Sequence, residues 1–91
     1  MRTGALPNLG PTTERMLREV GVETADDLRE IGGAMAYRLL RYRYGPRVTR
    51  SALWALAGAL EGRHWLSFSD AEKAALEAEA AAELVVEPTL R

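Results

Sequence analysis

Leu6-Pro7-Asn8-Leu9-Gly10-Pro11 precedes a helix-length stretch, and Gly21-Val22-Glu23-Thr24-Ala25-Asp26-Asp27-Leu28 follows it. These two stretches settle the architecture. Pro11 suits the first position of a helix, where the N–H it lacks would have no partner in any case. A helix from about Thr12 to Val20 puts Met16, Leu17 and Val20 on one face. Gly21 closes it in the left-handed conformation that glycine tolerates, and Val22 points back inward. Thr24 opens a second helix. With Asp27 three residues later it is close to a capping box, Asp standing for the usual Glu. Asp26 and Asp27 fall in the first turn, where the helix dipole favours negative charge, and Leu28 and Ile31 form the buried side.

The rest of the chain continues the pattern. Gly32-Gly33 opens a third helix, Ala34 to about Tyr44, with Tyr37, Leu40 and Tyr44 on a stripe, and Gly45-Pro46 stops it. Thr49 caps a fourth, whose Leu53, Leu56, Ala57 and Leu60 make the most apolar face in the sequence; Gly62 ends it. The link from Arg63 to Phe68 carries Trp65 and Leu66 and is too apolar to hang free. Ser69 with Glu72 is a full capping box for a fifth helix, rich in Ala and Glu, reaching about Glu83 with Leu76 and Leu84 as its anchors. Ala and Leu supply 28 of 91 residues and no apolar alternation is long enough for a strand. The fold class is therefore all-α: about five short helices over residues 1–84, with 85–91 a loose tail. The fourth helix runs through the centre. Leu9, Leu17, Val20, Leu28, Ile31, Leu40, Leu53, Leu56 and Leu60 are expected to be buried. Cutting a central one to Ala should cost about 2–5 kcal/mol.

Composition removes several function classes. At 91 residues there is room for one domain. Without cysteine there are no disulfides, thiolate zinc sites or thiol nucleophiles, which favours a cytoplasmic setting. His64 is the only histidine, so no metal site is expected. His64 lies near Ser51, Ser69 and Asp70, but no second histidine, glycine-framed nucleophile or paired acid–base motif accompanies it. The expectation is no enzyme, no cofactor and no small-molecule substrate. Glu72, Glu77, Glu79 and Glu83 read as a solvated acidic face and have no calcium-loop pattern. No apolar run approaches the roughly 18 residues of a membrane helix.

The net charge of −1 hides an uneven distribution. Residues 1–36 hold four basic and six acidic groups, residues 37–50 five arginines and no acid, and residues 51–91 three basic and seven acidic groups. The basic segment is Arg38, Arg41, Arg43, Arg47 and Arg50, interleaved with Tyr37, Tyr42 and Tyr44. Arginine forks suit phosphates. Opposite charge from the acidic last helix is the alternative partner for them.

Leu6, Leu9, Gly10 and Pro11, then Leu17, Gly21, Val22, Thr24, Asp27 and Leu28, resemble a helix-hairpin-helix half-motif. The continuation narrows this. Ala36-Tyr37-Arg38 with Leu40, Gly45-Pro46-Arg47-Val48-Thr49, Leu53-Trp54-Ala55-Leu56, and Ala59-Leu60-Glu61-Gly62 with His64-Trp65 resemble the C-terminal domain of the TfoX/Sxy competence-regulator family over residues 5–80. The resemblance implies a small helical fold related to helix-hairpin-helix and SAM-like domains. It also implies a regulatory role in bacterial DNA uptake. Full-length members carry a separate N-terminal domain, and the match here begins directly at the C-terminal one. Hairpin loops of the DNA-binding kind usually have glycine where this chain has Asn8, and lysine near Thr12. Asn8 can take the left-handed conformation that the turn needs.

Two functional readings follow. In the first, DNA phosphates meet the turn and helix start at Asn8, Leu9, Gly10, Thr12 and Thr13, assisted by Arg15, and the segment Arg38, Arg41, Arg43, Arg47 and Arg50. Such binding would be weak and salt-sensitive. In the second, Trp54 and Trp65 anchor a protein partner or a homodimer, with no nucleic acid involved.

Overall fold

The computed structural model describes the backbone of residues 1–89 and the side chains of residues 1–81. Five α-helices follow one another: α1 (Pro11–Glu19), α2 (Ala25–Ile31), α3 (Gly33–Tyr44), α4 (Arg50–Glu61) and α5 (Asp70–Thr89). Single 3₁₀ turns lie at Thr3–Ala5, Gly45–Arg47 and Trp65–Ser67. Among the described residues there is no strand, and one isolated antiparallel bridge pairs Arg2 with Thr24. The all-α expectation holds.

Local chemistry sets the helix ends. At the end of α1 the Val22 N–H donates to the Leu17 carbonyl (2.8 Å) and the Gly21 N–H to the Arg18 carbonyl (3.1 Å). Gly21 has φ +91°. This is a Schellman closure, completed by Val22 and Leu17, both buried in one core. At the start of α2 the Asp27 N–H donates to Thr24 Oγ1 (3.1 Å), and Asp27 Oδ2 accepts from the Thr24 and Glu23 N–H groups (3.1 and 3.0 Å). The near-capping box read from the sequence is thus complete. The bonds from Glu23 and then Thr24 favour the ionised carboxylate and lower the Asp27 pKa.

Two apolar clusters fill the bundle. The larger joins Leu6, Leu9, Leu17, Val22, Ala25 and Leu28 to Ala36 and Leu40 of α3, to Val48, and to Leu56 and Ala59 of α4. The smaller joins Ala34, Leu53 and Ala80, with Tyr37, Trp54 and Leu76 against it. Both α3 and α4 belong to both clusters, so the central place expected for α4 is shared with α3. Their close approach depends on Gly33, where a Cβ would lie 3.2 Å from the Ala57 nitrogen.

Some expectations need correction. Val20, Ile31 and Leu60 are half-buried, because each sits at a helix end on the rim of the larger cluster. The first five residues, unassigned from sequence, are built into the fold. Thr3 is fully buried, and the Met1 carbonyl accepts from the Ala25 N–H (2.7 Å) in the first turn of α2. The last helix runs on to Thr89, past the end expected near Glu83. The Leu84 side chain lies outside the described residues. So do the side chains of the expected tail at 85–91.

Candidate functional site

Asn8 is the one non-glycine residue with positive φ among the described residues, at +69°. The left-handed turn expected there is present. Its side chain, however, faces the protein. Nδ2 donates to the Arg63 carbonyl (2.9 Å) and the Ala55 carbonyl (3.3 Å), and Oδ1 accepts from the Trp65 N–H (3.3 Å). One amide thus ties the turn before α1 to α4 and to the link that follows it. Gly58 makes room: a Cβ there would lie 2.6 Å from the Arg63 oxygen and 2.7 Å from Asn8 Nδ2. Leu9 is buried in the larger core. What remains outward at this turn is Gly10, which precedes α1, the exposed Thr12 and the half-buried Thr13.

Arg15 stands exposed one turn into α1. It lines an open groove of about 570 Å³ together with Thr12, Met16, Glu19, Tyr44 and Arg47. The two α1 carboxylates that would oppose an anion are both engaged. Glu14 is only 8% exposed, and its Oε2 lies 3.3 Å from Arg2 Nε. Glu19 accepts from the Tyr44 hydroxyl and lies 3.7 Å from Arg43 Nη2. The bond to Glu19 holds the Tyr44 pKa above its ordinary value. Among the described residues Arg15 and Arg47 form no salt bridge.

The fold divides the basic segment. Arg43 turns to Glu19 and lies over the Tyr44 ring. Arg50 reaches Glu77 of α5, with Nη1 to Oε1 at 3.3 Å, as expected for an arginine meeting the acidic last helix. Arg41 Nη1 donates to the Val48 carbonyl (2.8 Å). Arg38 is half-buried on α3. Arg47 alone of the five lines the groove with Arg15 and Thr12. Of the residues proposed from sequence, Thr12, Arg15 and Arg47 therefore come together, and Arg50 does not join them. The sequence marks Met16 and Tyr44 only as core positions, because a helical stripe cannot separate a buried ring from one at the edge of a cleft.

Trp54 and Trp65 are half-buried and stack on each other, with centroids 6.2 Å apart and planes 15° from parallel. Lys73 Nζ lies 4.4 Å over the Trp54 ring. His64 is exposed, stacks on Trp65 and accepts from the Leu66 N–H through Nδ1 (3.1 Å), so it caps the short turn at Trp65–Ser67. Arg63, which no sequence motif marks, organises this link. Its Nη1 and Nη2 fork onto Glu72 at 3.0 and 3.2 Å, its Nε donates to Ser67 Oγ, and its guanidinium covers Phe68. Glu72 also completes the capping box with Ser69, accepting from the Ser69 N–H at 2.8 Å. Arg63, then that N–H, pull its pKa down from 4.5 to about 2. Among the described residues no cluster of His, Asp and Glu could hold a metal ion, and no helix is long and apolar enough to cross a membrane.

Comparison with known proteins adds a family. The model of the TfoX C-terminal domain matches residues 2–80. A relative in Aliivibrio fischeri, the DNA transformation protein TfoX1, is 38% identical over 71 residues. That match covers 78% of this chain and 34% of the relative, so the chain spans about a third of that protein. A crystal structure of an uncharacterized protein from Listeria monocytogenes superposes with a TM-score of 0.78 at 30% identity, covering 85% of this chain and 86% of that one. A second crystal structure, of a protein of unknown function from the same organism, gives 0.76 at 31% identity, covering 82% and 91%.

Proposed function

This chain belongs to the TfoX C-terminal domain family, and from that premise we propose that it is a regulatory module without catalysis that contacts nucleic-acid phosphate. The observation that carries the reading is the groove where Arg15 of the turn-led helix and Arg47 of the basic segment meet beside Thr12. The two cations come from the two stretches that the sequence marks independently. The two α1 carboxylates, Glu14 and Glu19, are held by Arg2, Arg43 and Tyr44. Backbone N–H groups at the start of α1 add a partial positive charge at the same end. The role this reading assigns, from the family resemblance, is control of DNA uptake genes in the cytoplasm; the relative's name speaks of DNA transformation. Binding is weak, since the whole chain carries a net charge of −1.

A mobility-shift titration with a short duplex at about 50 and about 200 mM salt tests this, because neutralised phosphates release counterions and binding weakens as salt rises. Changing Arg15→Gln and Arg47→Gln together should lower the salt slope by about 2, close to one for each phosphate no longer neutralised. No binding of the unaltered chain at the lower salt overturns the reading.

One observation favours a second reading, a protein-binding or homodimeric module. Leu66 is 64% exposed beside the Trp54–Trp65 stack. Light scattering across concentration separates the two: a monomer throughout counts against the homodimer.

A further inference from the structure

The three tyrosines of the basic segment part company in the fold. Tyr37 and Tyr44 pack against the apolar clusters, whereas Tyr42 is 93% exposed. No other large apolar side chain among the described residues is as open. Arg41 directly precedes Tyr42 on α3, about 100° around the helix from it, and both side chains are exposed. Tyr42 itself lies about 160° around the helix from Tyr44, which lines the groove. Arg41 is anchored, since its Nη1 donates to the Val48 carbonyl at 2.8 Å. The acceptor is neutral, so the bond holds the guanidinium in place without cancelling its charge.

An aromatic ring that contributes nothing to the core, beside a positioned cation, has the two elements that a nucleotide in an unpaired strand requires. The base offers a flat apolar face for the ring, and the adjoining phosphate offers a charge for the guanidinium. A duplex hides its base faces in its own stack. An apolar protein partner would gain little from the arginine beside the ring. We propose that the exposed Arg41–Tyr42 step of α3 is a stacking site for an unpaired base of single-stranded nucleic acid, with Tyr42 carrying the base and Arg41 the flanking phosphate. The proposal rests on the nucleic-acid reading above and adds to it the class of strand.

The test is fluorescence anisotropy with labelled oligodeoxythymidylate, oligouridylate and a duplex at about 50 mM salt, using the full chain, Tyr42→Ala, Tyr42→Phe, and the Arg15→Gln/Arg47→Gln pair. Tyr42→Ala should weaken single-strand binding by about 5- to 150-fold, the range of one base–ring stack, and leave the duplex unchanged. Tyr42→Phe should bind like the unaltered chain, because stacking uses the ring and not the hydroxyl. Single-strand binding unaffected by Tyr42→Ala overturns the inference, as does a Tyr42→Phe loss equal to that of Ala. If Tyr42→Ala is silent while duplex binding still depends on Arg15 and Arg47, only this inference fails. If no probe binds the unaltered chain, the wider reading fails too. Light scattering that finds a dimer broken by Tyr42→Ala also overturns it, since a second copy would then be what covers the ring.

Discussion

Asn8 and the pair Arg15–Arg47 are polar residues that the sequence marks alike as candidates for binding, and they have opposite fates. The Asn8 amide is turned inward and bonded three times, to Ala55, Arg63 and Trp65. The two guanidinium groups face an open groove. The difference lies in what the backbone nearby leaves unmet. The link after α4 is not regular helix, so the Arg63 carbonyl and the Trp65 N–H have no helical partners. A short planar amide with a donor and an acceptor satisfies both. Glu19, the carboxylate that lines the groove with Arg15 and Arg47, is taken up by Tyr44 and Arg43. A turn residue that looks like part of a binding loop can thus be a fold residue, while Arg15 on the helix it leads into lines an open groove.

The sharpest way to break this contrast is to remove the amide. Asn8→Ala leaves the link's polar groups unmet and puts in the left-handed conformation a residue that tolerates it less well than asparagine. Together these should destabilise the domain by about 2–5 kcal/mol in urea titration. Asn8→Gly loses the same hydrogen bonds without the conformational strain and should be less damaging by about 1–2 kcal/mol. If neither substitution changes stability, Asn8 is not a fold residue and the contrast disappears.

Gly58→Ala tests the same joint from the other side and should cost about 1–3 kcal/mol, since the new methyl group meets the Arg63 oxygen and Asn8 Nδ2. In the Asn8→Gly background the cost should shrink but not vanish. One of the two obstructing atoms is then gone, and the other belongs to the backbone. Strict additivity in this double-mutant cycle would mean that the two residues do not share the joint.

Acid offers a smaller perturbation at the far side of the link. Glu72 has its pKa drawn down from 4.5 to about 2 by Arg63 and the Ser69 N–H. A lowered folded-state pKa contributes stability above the unfolded value. That contribution is complete above about pH 4.5 and is lost as pH falls toward 2. Melting temperature followed from pH 6 to pH 2 should decline through this window, and Glu72→Gln should flatten the decline. Asp27, lowered by Glu23 and Thr24, adds to the same acid limb. Asp27→Asn should therefore flatten it as well, independently of Asn8.

The punctuation is legible in the sequence and the long-range joints are not. Gly10-Pro11, Gly21 and the two capping boxes act within four residues, and their physics is local. Every helix can therefore be placed to within a residue or two, save the far end of α5. Even the left-handed Asn8 is readable, because asparagine is one of the few side chains that tolerates it. Its partners are not, lying 47 to 57 positions along the chain. Arg63 looks like one more linker arginine, yet it holds Glu72 and Ser67 and covers Phe68. The candidate site is half legible for the same reason. Charge counting finds Arg15 and Arg47, but only the packing of Tyr44 onto the cluster beside α1 brings them to one groove.

The smallest effect on stability belongs to the residues with the largest expected effect on binding. Arg15 and Arg47 are exposed and form no salt bridge among the described residues. Changing both to Gln should move the urea midpoint by no more than about 0.5 kcal/mol of stability. The same variant should bind duplex more weakly at low salt, with a slope lowered by about 2. Asn8→Gly should do the reverse. Its stability falls, yet at a temperature where it stays folded its affinity equals that of the unaltered chain, because its amide never reached the ligand. Measuring both variants by both methods separates fold from binding. An Asn8→Gly variant that is fully folded and still binds worse would place the turn back in the interface. It would mean that the link held by Asn8 also sets the position of the groove.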